Sequence, residues 1–373
     1  LSFGNGATSV SIAGGTGVDS IAFSGAQVAN STIDLGSDAD VFSLTIGASA
    51  STIMGGANND TLVFSGELTT VSVSGGDGAD SISVSSEITS GSTLSGGLGN
   101  DTLLISSGIT GSLVSMDSGS DLLTFNSTVL NSTIDLGIGA DSVTFKSGFS
   151  TSTVAGGAGN DTVRFTAGIV NSFVSMDAGS DLLVFGGAIS GSTVDFGAGA
   201  DSFTLTVGLT SSTFSGGADA DTLVFSSTAT SSSISGGAGA DSLVIKTVFT
   251  SGNTLDAGLG SDLVSFDGSV TGARVIAGSG AGDDSLVFAS TVTNSYISLD
   301  AGNDSIVFNS VVTNSTLNGG SVSTNTILFS SSVADLVSLD GTFGAGTISM
   351  GAGADTLVFL SSANSGTGYF YGG

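Results

Sequence analysis

The feature that most constrains this chain is an aspartate that recurs about every 20 residues, set in a glycine-rich turn between alternating apolar residues. One unit, read from Ser152, runs Ser-Thr-Val-Ala-Gly-Gly-Ala-Gly-Asn-Asp-Thr-Val-Arg-Phe to Phe165, and the next begins at Ser172. Its aspartate, Asp161, belongs to a series: Asp19, Asp40, Asp60, Asp80, Asp101, Asp121, Asp141, Asp161, Asp181, Asp201, Asp221, Asp241, Asp262, Asp284, Asp304 and Asp355. Asn325 interrupts the series. A longer period is superimposed, because Val114-Ser-Met-Asp-Ser-Gly-Ser-Asp returns as Val174-Ser-Met-Asp-Ala-Gly-Ser-Asp about three units later.

Within a unit the apolar positions alternate with polar or small ones, as at Val143 and Phe145, which is strand spacing and not helix spacing. The expected fold is therefore all-β: a parallel, β-roll-like β-solenoid with two short strands per coil and roughly 17 coils. Stacking would place Val163 and Phe165 over Val143 and Phe145, giving continuous apolar ladders. No stretch has the composition of a linker, so residues 1–373 read as one continuous solenoid. The segment 319–346, where the aspartate series lapses, reads as a loop or a register change.

Composition excludes several function classes. The chain has 60 glycines, no proline, cysteine, histidine or tryptophan, and a formal net charge of -28. Its four basic residues, Lys146, Arg164, Lys246 and Arg274, cannot form a phosphate-binding stripe, which argues against nucleic acid and in favour of cations. Acid–base or nucleophilic catalysis lacks histidine and cysteine, so no enzyme is expected. No apolar run is long enough for a membrane span, and no signal-peptide pattern or initiating methionine is present, as expected of a mature product or fragment.

The clearest turns are Gly75-Gly-Asp-Gly-Ala-Asp80, Gly96-Gly-Leu-Gly-Asn-Asp101, Gly156-Gly-Ala-Gly-Asn-Asp161 and Gly236-Gly-Ala-Gly-Ala-Asp241. They resemble the RTX, or hemolysin-type, calcium-binding repeat, found also in bacterial surface-layer and cyanobacterial cell-surface proteins. The second and fourth residues of the turn, Gly76 and Gly78, Gly97 and Gly99, Gly157 and Gly159, Gly237 and Gly239, permit positive φ and let carbonyls join the aspartate in an all-oxygen environment suited to Ca²⁺. Electrostatics points the same way: aspartates stacked about 4.8 Å apart repel by about 0.9 kcal/mol per pair even in bulk water. The resemblance implies ions between turns of adjacent coils, held by carboxylates and turn carbonyls. The second edge of each coil, as at Gly148-Phe-Ser-Thr, has no aspartate, so calcium is expected along one edge only. Asp117, Asp177 and Asp300 replace the second glycine and either add a carboxylate ligand or solubilise the surface.

The faces carry weaker signals. A threonine stripe through Thr133, Thr153 and Thr193 is interrupted by Leu113, Phe173, Arg274 and Tyr296, and strand propensity explains it without an ice-binding role. Outward valines such as Val63, Val184, Val224 and Val244 either mark lateral packing or are ordinary surface residues. Asn30-Ser-Thr, Asn131-Ser-Thr and Asn314-Ser-Thr are glycan acceptor triplets by pattern. Neither end reads as a capping helix, which suggests head-to-tail stacking or excision from a longer chain. The resemblance and the composition together imply an extracellular, cell-surface solenoid, self-associating head-to-tail or laterally into a surface layer, sheath or filament. The alternative is a calcium-folded repeat module of a secreted adhesin or RTX effector.

Overall fold

Alternation on either side of each turn sends one set of side chains inward and leaves the other outside. In the computed structural model this pattern forms parallel strands and, among the described residues, no helix. Those residues are 1–278, 280, 282–320, 324–340, 346–360 and 369–372. The chain divides into two compact units, Leu1–Gly187 and Ala188–Gly373, built from the same kind of coil.

One coil of the first unit shows the plan. Thr61–Phe64 follows the aspartate, Leu68–Thr69 lies across the arc, and Ser72–Asp77 leads into the next turn. Each strand pairs in parallel with its equivalent one coil on: Leu62 with Ile82, Leu68 with Ile88, Val73 with Leu94. Three sheets result, here called post-turn, narrow and pre-turn. The post-turn sheet has 10 strands in the first unit and 9 in the second. The fold is a parallel β-solenoid of about 18 coils, and the structure adds the two-residue strand of the arc to the two strands that alternation predicts.

The corner between the narrow and pre-turn sheets explains that third strand. Its residue takes a left-handed conformation, as at Asn30 (φ 47°), Thr70 (φ 56°), Asn131 (φ 49°) and Asn314 (φ 50°). Asparagine tolerates this region better than most residues, so backbone geometry alone accounts for the asparagines of the three Asn-Ser-Thr triplets. The next residue is a buried serine whose hydroxyl joins coils. The Ser132 N–H donates to the Ser152 Oγ at 3.1 Å, and the Ser152 hydroxyl donates to the Ser150 carbonyl at 2.7 Å. In the second unit Asn253 takes this place, accepting from the Ser232 N–H at 2.9 Å and donating to the Ala229 carbonyl at 2.8 Å.

Phenylalanine ladders fill the core beneath the post-turn sheet. Phe165 stacks on Phe145 at 4.8 Å and on Phe185 at 5.2 Å, and Phe288 lies between Phe266 at 5.0 Å and Phe308 at 5.1 Å. Each ring is buried, so it loses water and gains stacking in one step.

The last coils of the second unit depart from the period. Asn325 holds the place of the aspartate, and Gly346 follows it, since the Thr347 N–H donates to the Asn325 carbonyl. Thr356–Phe359 does not join the post-turn sheet. It pairs with Leu336–Asp340 in the pre-turn sheet. Asp355 therefore lies outside the aspartate column, contrary to the sequence series. Its Oδ1 accepts from the Asp335 N–H at 3.0 Å, and the Asp335 Oδ1 accepts from the Val312 N–H at 2.8 Å. The physical reason is that Asp335-Leu-Val repeats the aspartate-plus-strand pattern half a coil early, and a period-two strand can bury its apolar face against either sheet. Of the segment 319–346, residues 321–323 and 341–345 lie outside the described residues.

Phe165→Ala removes a ring from the middle of its ladder and should cost about 3–5 kcal/mol. Amide exchange in Val143–Phe145 and Leu183–Phe185 should speed accordingly, with strands several coils away little changed, because each coil contacts only its neighbours.

Candidate metal centre

The aspartates lie inside the turn, almost fully buried: Asp60 is 1% exposed and Asp101 2%. Each links two coils. In the first unit the Asp40 N–H donates to the Asp60 Oδ1 at 2.7 Å, Asp60 to Asp80 at 2.7 Å, Asp80 to Asp101 at 2.7 Å and Asp101 to Asp121 at 2.6 Å. In the second, Asp221 donates to Asp241 at 2.8 Å, Asp241 to Asp262 at 2.8 Å, and Asp304 to the Asn325 Oδ1 at 2.9 Å. The column is thus a hydrogen-bond ladder in which one carboxyl oxygen per coil replaces a backbone acceptor.

The second oxygen has no such role. Among the described residues, Oδ2 of Asp40, Asp60, Asp80, Asp101, Asp121, Asp141 and Asp161 in the first unit, and of Asp221, Asp241, Asp262 and Asp304 in the second, is buried without a hydrogen-bond partner. A native interior rarely tolerates one orphaned carboxylate oxygen, and here the orphan recurs coil after coil. It must be answered by a proton on the carboxyl or by a cation beside it.

The first residue of the turn decides the surroundings of that oxygen. A Cβ on Gly55, Gly96 or Gly236 would come within 2.5 Å of Oδ2 of Asp60, Asp101 or Asp241. The carboxyl there fills the space that a side chain would take. At the equivalent position other coils carry buried apolar residues, Leu35, Met116, Leu136, Met176 and Phe196, in place of glycine. The sequence series treats all sixteen aspartates alike; the residue five positions earlier is the signal that separates them.

The predicted glycines take the required conformations, with φ of 117° at Gly76, 134° at Gly78, 114° at Gly97, 118° at Gly99, 93° at Gly157, 137° at Gly159, 116° at Gly237 and 142° at Gly239. At the fourth position a Cβ on Gly119 would overlap the Gly99 carbonyl of the coil before, whereas Asp38, Asn58 and Asp219 hold the same position in other turns with φ of 85°, 75° and 77°. Asp117 and Asp177 (φ 64° each) and Asp300 (φ 53°) hold the left-handed second position. Their carboxylates accept from the hydroxyls of serines two residues earlier, Ser115 to Asp117 at 2.7 Å and Ser298 to Asp300 at 2.7 Å, with Ser175 to Asp177 as well. Each therefore has a serine partner for one carboxylate oxygen, unlike the orphaned Oδ2 atoms of the column.

The donors are oxygen only, carboxyl and turn carbonyl, which suits a hard cation. No three acidic side chains converge on one point among the described residues. A cation here would therefore be held by one or two column carboxylates plus backbone carbonyls, and the glycine-opened turns fit that requirement best.

Burial pushes carboxyl pKa values of the column up, with the accepted N–H opposing it and neighbouring carboxylates adding to it. Asp60, Asp101, Asp262 and Asp304 rise to about 6, and Asp121, Asp161, Asp221 and Asp284 to about 7.

No family model matches the chain, and no curated protein matches it. Among solved structures it is similar to a hyperactive, Ca²⁺-dependent, β-helical antifreeze protein from an Antarctic bacterium. The two are 21% identical, the match covers 73% of this chain and 80% of that one, and the TM-score is 0.51. At that identity the likeness is one of fold.

Two outcomes follow from the ladder. Without divalent cations the folded chain binds more protons than the unfolded one between about pH 4 and 7, so stability is full below that window and is lost as pH rises through it. Melting in chelator should therefore shift upward as pH falls from 8 to 5. Asp101→Ala leaves the Asp80 N–H buried without its acceptor and should cost about 1–3 kcal/mol, whereas Asp101→Asn keeps the bond, as Asn325 does. In chelator at pH 8, Asp101→Asn should melt above the parent; denaturation of the three proteins side by side tests both signs.

Proposed function

We propose that the chain is a calcium-stabilised structural solenoid of the cell exterior, with no catalytic role, that assembles with copies of itself into a layer, sheath or filament. The observation that carries the calcium reading is the recurring buried Oδ2 without a partner. Asp60, Asp80, Asp101 and Asp161 in the first unit, and Asp221 and Asp241 in the second, are the carboxylates best placed to hold the ion, with the carbonyls of their glycine turns. Bound calcium would supply positive charge where the column otherwise concentrates negative charge. The chain's own contribution is the spacing of about 4.8 Å, the glycines that bring carbonyls close, and the ladder that keeps each carboxyl in place. The resemblance of the turns to RTX repeats and the Ca²⁺ dependence of the similar antifreeze protein support the reading. Export follows from it, because millimolar calcium is an extracellular condition and a turn of this kind would fold only where the ion is abundant.

A second reading, ice binding, has one observation behind it. On the narrow sheet of the second unit, Thr210, Thr230, Thr250, Thr271, Thr293 and Thr313 stand at the same strand position in successive coils. That column lies on strands two residues long, too narrow for a two-dimensional lattice, and the broader pre-turn sheet is broken by Leu113 and Phe173 in the first unit and by Arg274 and Tyr296 in the second. The structural reading is therefore preferred.

Calcium at pH 8 should raise the melting temperature of the chelator-treated protein and magnesium should do so much less, because the smaller ion holds its water and demands octahedral geometry. Asp101→Asn should blunt the calcium response. Assembly followed by electron microscopy in the same samples separates the readings: ordered assemblies support the structural role, folded single particles favour an adhesin or effector module, and thermal hysteresis favours ice binding.

A further inference from the structure

We infer that the post-turn sheet is the face by which one copy of this chain packs on another. The inference rests on the self-assembly reading above and names the surface that performs it.

The argument is one of charge. In the second unit the outward positions of the post-turn strands include Thr222 and Val224, Ser242 and Val244, Ser285 and Val287, and Ser305 and Val307; none of the described strands of that sheet carries a charged residue, and exposed Lys246 and Asp267 lie just past the strand ends at its margin. In the first unit the corresponding strands carry Arg164 as their single charge and no carboxylate, and exposed Lys146 lies just past the end of Ser142–Phe145. The pre-turn sheet, the other broad face, presents Asp34 and Asp135 in the first unit and Asp195 and Asp256 in the second. The turns add Asp38, Asp77, Asp117 and Asp177, then Asp219, Asp283 and Asp300. In a chain of net charge -28, a broad sheet without a carboxylate is a departure from the rest of the surface.

Two copies meeting by an acidic face would meet like-charge repulsion; meeting post-turn sheet to post-turn sheet, they bring together strands that hold no carboxylate, with Asp267 at the margin beside Lys246 of the coil before. The face is also apolar enough to gain from burial. Leu122 is 51% exposed and Leu182 50% in the first unit, and Leu263 is 49% exposed in the second, beside half-buried Val244 and Val287. At about 4.8 Å between strands and about 3.3 Å per residue, a nine-stranded face four residues wide measures roughly 550 Å². Pairing two such faces buries about 1,100 Å² in all, the lower bound for a specific interface, from one unit alone. The occupant that shares the charge and the regular strand spacing is a second copy.

The chain has no cysteine, so a single introduced thiol reports proximity without background. Val244→Cys places it on the post-turn sheet and Ser235→Cys on the pre-turn sheet of the same unit. Under mild oxidation in calcium, Val244→Cys should form disulfide-linked dimers while Ser235→Cys remains monomeric at the same concentration. Sedimentation of the parent should show association that strengthens with salt, since salt screens the repulsion between the acidic remainders. Val224→Glu/Val244→Glu should abolish that association with the circular dichroism spectrum unchanged. If Ser235→Cys cross-links as readily, or the double-glutamate variant still assembles, the face is wrong although self-assembly stands. If the parent stays a folded monomer in calcium, the assembly reading fails and this inference with it, and the face belongs to a different partner.

Discussion

Coil after coil is tied to the next by a hydrogen bond that needs a side-chain oxygen inside the turn, a carboxyl oxygen at the aspartates and an amide oxygen at Asn325. The Asp60 N–H can find its acceptor only in the Asp80 side chain, and the price of that placement is a second oxygen with nothing to bind. Much of the chain's character follows from this bond. The carboxyl sits where Gly55 or Gly96 leaves room, and in other coils buried Leu35 or Met116 holds the equivalent position. It must also carry a proton or face a cation, and for that reason a chain this acidic can stack its aspartates.

The same coil has a second ladder on its opposite edge, and the comparison is instructive. There serine performs the bridging, at Ser132 and Ser152 for example, with a hydroxyl that both accepts and donates. A hydroxyl leaves no orphan, so that edge is neutral and self-sufficient. The aspartate edge keeps buried carboxyl oxygens without a partner, as at Asp60 and Asp101, and under the proposed calcium reading it is where an ion would supply what the chain lacks. The two edges thus divide the work between a permanent closure and one that depends on the medium.

Acidity outside the turn is distributed with equal consequence. Carboxylates gather on the pre-turn sheet and around the turns, leaving the post-turn sheet to threonine, serine, valine and leucine. The described strands of that sheet hold no carboxylate in either unit, and Arg164 is their single charge in the first. Core ladders beneath that face, such as Phe145, Phe165 and Phe185, hold its strands in register, so the outward residues repeat as regularly as the inward ones.

How much of this was legible beforehand depends on range. Period-two alternation around Val143 and Phe145 declares strands, and the spacing of Asp141 and Asp161 declares coils, because both are local consequences of backbone geometry repeated along the chain. Positive φ at Gly97 and Gly99 is likewise written in the residue type. The buried serine ladder was not legible, since serine in a Ser/Thr/Gly arc looks like solvent-exposed filler until the next coil is stacked upon it. Asp355 misled for a related reason: Thr356–Phe359 alternates correctly for either broad sheet, and only its pairing with Leu336–Asp340 chooses between them. The sequence by itself determined a parallel solenoid with acidic glycine turns, because repetition and alternation are properties of single strands. Tertiary structure decided which carboxyl oxygen is satisfied, which is left over and which face lacks charge, because those depend on what the neighbouring coil brings within hydrogen-bonding distance.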